Sequence, residues 1–148
     1  MTEYMETTVD KFTFRVAMDR WYTPAGVWAL RVNDRVRIGL SDFLQQRSGD
    51  IAFVDVQPVG TVLKADEEAA VIETIKVNVS LPSPIAGKVV FLNPALETAP
   101  ETINLDPFGA GWLCEIEPVG WEADRAILLD PTAYFARMKR EAEDVTKK

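Results

Sequence analysis

The chain has 148 residues and carries 16 Lys plus Arg against 23 Asp plus Glu, a net charge of −7. That length makes one domain with a real core, and the acidic balance excludes a nucleic-acid binder while permitting docking onto basic protein patches. With no histidine and one cysteine, His-based triads, His-ligated metals, Cys-rich zinc sites and internal disulfides are excluded.

The start, MTEYMETTVDKFTFRV, has early acids and no apolar h-region, so no signal peptide is expected. No run approaches the roughly 18 apolar residues of a membrane span. Together with the lone cysteine this points to a cytoplasmic protein away from membranes. Residues 1–20 read as an N-terminal extension that can hold a first strand. Phe12–Met18 and Val27–Val32 alternate as strands about a YTPAG turn, and NDR turns the chain into VRIGL. SDFLQQRSG reads as a short helix capped by Ser41 and ended by Gly49. IAFVDVQPVGTVL is a strand, a Pro-Gly corner and another strand. KADEEA is a loop, whose acids Asp66, Glu67 and Glu68 read as solvated charge rather than a catalytic pair.

AVIETI runs as a strand up to Lys76, VNVSLPSP returns, GKVVFLN begins the next strand and WLCEIEP is the last. Asp130 then caps a C-terminal helix with Pro131 in its first position, running to about Glu143, with fraying ends. The corners PVGTVL and PIAGKVV lie on either side of Lys76 and echo each other, as two related β halves meeting at a hairpin would. The expected fold is therefore mostly β, a flattened barrel-sandwich with Lys76 at a hairpin tip. On the residues alone, Lys76 is either a plain exposed lysine or an attachment point. Cys114 and Trp112, on one strand face with Ile116, read as core packing, and Gly87 and Gly111 as relief of crowding.

Glu73-Thr74-Ile75-Lys76 with Pro84 eight residues on, then Ile103-Asn104 and Gly111-Trp112-Leu113, resembles the H protein of the glycine cleavage system. YTPAGVW, IGLSDFLQQRSG and LLDPTAYF fall in that family's order, so the resemblance covers roughly Trp21 to Phe135. It implies a barrel-sandwich hybrid of the lipoyl/biotinyl type over residues 21–130, then a helix and tail over 131–148. It also implies a non-catalytic carrier with lipoate covalently on Lys76. Implied partners are a lipoate-attaching enzyme, dihydrolipoamide dehydrogenase, and the enzymes of a glycine cleavage or sulfur-oxidation system. Glu73 reads equally as a recognition contact for the attaching enzyme and as a plain exposed residue.

Two departures steer the expected role. Gly26-Val27-Trp28 stands where the family reads His-Glu-Trp, and Arg47 where it commonly has histidine. In that family these positions line the cleft that shelters an aminomethylated arm, which makes Val27 and Arg47 the expected cleft residues here. Val27 cannot pair with a basic cargo, and Arg47 repels one. The expected role is thus an H-like lipoate-binding protein of a heterodisulfide-reductase-like sulfur-oxidation system, the alternative being the glycine cleavage H protein itself. A biotin carrier and an unmodified β adaptor are the other classes; Ile75 and Val77 lack the methionines that flank a biotinyl lysine.

Overall fold

The computed structural model describes residues 2–146. Strands β1 (Tyr4–Val9) and β2 (Phe12–Ala17) form a separate hairpin. Its two-residue turn is made possible by Asp10, which takes a left-handed φ of 58°. β3 (Trp21–Tyr22), β4 (Val27–Val32) and β5 (Arg35–Leu40) start a six-stranded sheet. It is completed by β11 (Cys114–Pro118), β10 (Gly87–Leu92) and β7 (Val62–Leu63), in the order β3-β4-β5-β11-β10-β7. The second sheet holds β8 (Glu68–Thr74) between β6 (Ile51–Val56) and β9 (Asn78–Pro82). The two echoing corners do meet, since β7 pairs antiparallel with β10 through Gly87 opposite Leu63. A Cβ on Gly87 would collide with the Glu117 carbonyl, and one on Gly111 would lie 2.7 Å from the Ile103 backbone, so both glycines relieve crowding.

Strand parity divides the buried residues between two cores. Val27, Ala29, Ile38 and Ile116 of the large sheet face Ile51, Ile72 and Leu81 of the small one. On the opposite side of β4, Trp28 joins Phe14, Val16, Tyr22 and Phe43 against Tyr134, Met138 and Ala142. These last three lie on helix α5 (Pro131–Thr146), and Phe43 lies on α1 (Asp42–Ser48). Tyr22 and Tyr134 stack at 4.4 Å between ring centroids, tying the sheet to the helix. The C-terminal helix thus seals a second apolar layer together with the N-terminal hairpin.

Some elements depart from expectation. The chain between β10 and β11 contains α2 (Ala95–Thr98) and α3 (Thr102–Leu105), and α4 (Trp121–Ala126) follows β11, each too short to show a helical period in the sequence. Helix α5 runs three residues past the expected Glu143, and the expected fraying of Lys147 and Lys148 lies outside the described residues. Trp112 precedes β11 and packs against the margin of the second core rather than inside it. It lies half-buried, stacked on Phe91 at 5.8 Å with the Arg37 guanidinium 4.4 Å from its ring. Among the described residues no helix is long and apolar enough to cross a membrane.

Candidate functional site

Lys76 is the middle residue of the three-residue loop (75–77) between β8 and β9, just beyond the Glu73–Asn78 pair that ends the ladder. Neither Ile75 nor Lys76 takes a positive φ, so this is not one of the primed turns that most tight hairpins use. Thr74 supplies what the backbone lacks. Its hydroxyl donates to the Val77 carbonyl at 3.0 Å and accepts from the N–H groups of Lys76 and Val77 at 3.2 and 3.0 Å. The Thr74 N–H donates to the same Val77 carbonyl at 2.9 Å. The loop is therefore fixed while its side chains stay outside. Lys76 is exposed, and its neighbour Ile75 is 92% exposed.

The lysine stem does not float free of the body. A Cβ at Gly49 would sit 3.3 Å from Lys76 Cε and 3.5 Å from its Nζ, so the stem runs across the end of α1. The local sequence builds that end. The Ser41 hydroxyl accepts from the Leu44 N–H, and the Gly49 N–H donates to the Gln45 carbonyl. Gly49 then turns the chain at φ 92°, ψ −170°, a region essentially reserved for glycine. The Asn104 side chain clamps this corner from α3. It donates to the Gly49 carbonyl at 3.0 Å and to Gln45 Oε1 at 2.9 Å, and accepts from the Ile51 N–H at 3.0 Å. In the sequence Asn104 is only part of a matching dipeptide, and nothing there pairs it with Gly49.

Beside the hairpin opens a groove of about 830 Å³ walled by Leu44, Arg47, Ser48, Val79, Arg137 and Glu141 among others. Arg47 and Arg137 both reach Glu141, at 3.8 and 3.4 Å, so two guanidiniums share one carboxylate. Val27 is not on the groove. It is fully buried because strand parity points it with Ala29 into the sandwich core, which corrects its expected place in the cleft. Glu73 is exposed one residue before Thr74, across from Phe53 and Asn78.

Other candidates fall away from the site. Cys114 is buried, and burial, with the Glu115 charge beside it, pushes its thiol up to about 12. The expected 64–69 loop ends at residue 67, because Glu68 begins β8; Glu67 accepts from the Lys64 N–H and Glu68 from the Ser80 hydroxyl, both at 2.7 Å. Among the described residues no group of acids, cysteines or histidines is arranged to hold a metal.

Covalent attachment of an acyl group requires a lysine that an attaching enzyme can reach. Lys76 meets that condition, since it is exposed on the loop.

The family model described as "Glycine cleavage H-protein" matches residues 20–141. The glycine cleavage system H protein of Thermus thermophilus is 37% identical over 127 residues, covering 86% of this chain and 98% of that one. A probable glycine cleavage system H protein of Natronomonas pharaonis is 42% identical over 118 residues, covering 80% and 94%. Among solved structures, a glycine cleavage system H protein from Mycobacterium marinum superposes with a TM-score of 0.72 at 31% identity, covering 81% of this chain and 96% of that one.

Proposed function

The chain belongs to the glycine cleavage H-protein family, whose members carry lipoate covalently on a lysine, and from that premise we propose that Lys76 is the attachment site and that the protein is the carrier of a glycine cleavage system. The observation that carries this reading is the exposed amine of Lys76 on a hydrogen-bonded hairpin tip, with its stem against Gly49 at the end of α1. When bound, the lipoyl group supplies a cyclic disulfide that is reduced, loaded and reoxidised at successive enzymes. The chain itself does no bond chemistry. Thr74 holds the tip, and Gly49 leaves room for the stem. Lysine plus lipoyl chain reaches on the order of 15 Å, estimated from bond lengths, so the tether raises the local concentration of its end at any docked active site. A lipoate-attaching enzyme, the glycine cleavage enzymes and dihydrolipoamide dehydrogenase are the partners this role requires.

The family match favours glycine cleavage over the sulfur-oxidation role expected from Val27 and Arg47. The first of those residues is buried away from the arm, and the charge of the second is shared with Glu141. One observation still favours an anionic sulfur cargo: the groove sets two guanidiniums against one carboxylate. Reconstitution separates the two readings. Lipoylated protein added to the other glycine cleavage components should support glycine-dependent carbon dioxide release, and Lys76→Arg should not. Fully lipoylated protein that supports no release would overturn the glycine cleavage reading and leave the sulfur one standing.

A further inference from the structure

A second, smaller cavity of about 200 Å³ lies on the neighbouring face of α1, between that helix, the N-terminal hairpin and α5. Its walls include Val9, Phe12, Phe14, Phe43 and Val145, with Arg47 at the edge that it shares with the groove beside Lys76. Phe12 and Phe14, two apart on β2, point to one side and lie 6.3 Å apart; Phe43 meets Phe14 edge-on at 5.2 Å. The wall is fastened to α1, since the Arg15 N–H donates to Asp42 and the Gln46 amide to the Thr13 carbonyl, both at 2.9 Å. Its hairpin precedes the stretch matched by the family model, which begins at residue 20.

We propose that this aromatic cavity is a resting site for the dithiolane ring of the chain's own lipoyl arm. The proposal rests on Lys76 being the lipoylated residue. Reach permits it. The lysine stem already lies against Gly49 at the end of α1, and Phe43 is about 9 Å back along that helix at 1.5 Å per residue. The acyl chain and ring beyond Nζ span on the order of 10 Å, from bond lengths. The path passes Arg47, whose side chain borders both hollows. Chemistry selects the occupant. The ring is a compact apolar group with two polarisable sulfurs, and sulfur packs favourably against aromatic edges. The cavity exceeds the ~30 Å³ share of a water molecule several-fold. The more polar groove between it and Lys76 suits the amide and chain that lead there. An N-terminal hairpin would then act as a cover for the oxidised, unloaded arm.

The test uses lipoylated, oxidised full-length protein. Nuclear Overhauser contacts from the ring protons to Phe12 and Phe14 are expected, independent of protein concentration. Reduction of the dithiolane by dithiothreitol should also slow relative to free lipoamide, about threefold if the ring is docked two-thirds of the time. Phe12→Asp should restore the free rate; Phe12 is 53% exposed, so the variant should fold. Val145→Asp, at the opposite wall, gives an independent second variant. Contacts confined to the groove, or a reduction rate equal to that of free lipoamide, would overturn the proposal. So would contacts that grow with protein concentration, which would mark the arm of a second copy. Failure to find lipoate on Lys76 would remove the carrier reading itself, whereas an adduct with a free ring would remove only the resting site.

Discussion

Replacing Gly49 by alanine probes the corner on which the lysine stem rests. The residue sits at φ 92°, ψ −170°, where a non-glycine backbone costs about 1–3 kcal/mol. Alanine also narrows the unfolded ensemble, which offsets roughly 0.4–1 kcal/mol of that cost. A net loss of about 1–2 kcal/mol remains, which for a domain of this size lowers Tm by roughly 2–8 °C. The new methyl would also stand 3.3 Å from Lys76 Cε, but that exposed stem can swing aside. The two contributions separate in a double-mutant cycle. Lys76→Ala alone should change stability by less than about 0.5 kcal/mol, because the residue is exposed. Gly49→Ala should cost nearly as much in the Lys76→Ala background as in the wild type. Urea unfolding of the four proteins reads this directly. An unchanged midpoint in Gly49→Ala would refute the backbone argument. A cost that disappears when Lys76 is removed would show that side-chain crowding, not φ, was responsible.

Three further outcomes follow from the same geometry. Cys114, with its thiol pushed up to about 12 and its side chain buried, should resist Ellman's reagent at pH 8 until urea unfolds the chain; stoichiometric labelling of native protein within minutes would contradict its placement. Burial alone would raise the Glu115 carboxyl, but hydrogen bonds from Arg37 and Arg35 outweigh it and leave the group below its ordinary 4.5. A depressed folded value means that the stabilisation is present above the ordinary value and is lost as pH falls through the folded one, so Glu115→Gln should destabilise at pH 7 and lose that effect progressively as urea titrations are taken to pH below 4.5. Asn104→Ala removes three hydrogen bonds at the Gly49 corner and should cost about 1–3 kcal/mol; a loss below about 0.5 kcal/mol would show that the clamp is dispensable.

The sequence makes the hairpin and its lysine legible because their signals are local. β-branched runs, prolines and a capped short helix each act over a few residues, and Ser41 and Gly49 bound α1 as expected. What it hides is which side of a strand meets which layer. In β4 both faces are covered, so Val27 and Trp28 are buried equally and apolarity gives no direction. Val27 is placed in a cleft by the resemblance alone, and nothing in its own apolar side chain corrects that until the sandwich assigns its parity. Trp112 reads as core for a related reason: the strand begins two residues after it. The resting of Lys76 on Gly49, and Asn104's grip on the same corner, are long-range contacts between exposed or half-buried residues, which leave no periodic trace. The hydroxyl of Thr74 looks like any strand threonine until the turn is seen to lack positive φ.

Intact-mass measurement tests the central claim most directly. The wild-type protein and Lys76→Arg are produced with a lipoate-attaching enzyme that modifies an ordinary glycine cleavage H protein in parallel. The wild type should gain one lipoyl group, mapped by fragmentation to the peptide containing Lys76, and Lys76→Arg should gain none while melting at the same temperature. An adduct that persists on Lys76→Arg, or a wild type that stays unmodified while the parallel protein is lipoylated, would contradict it.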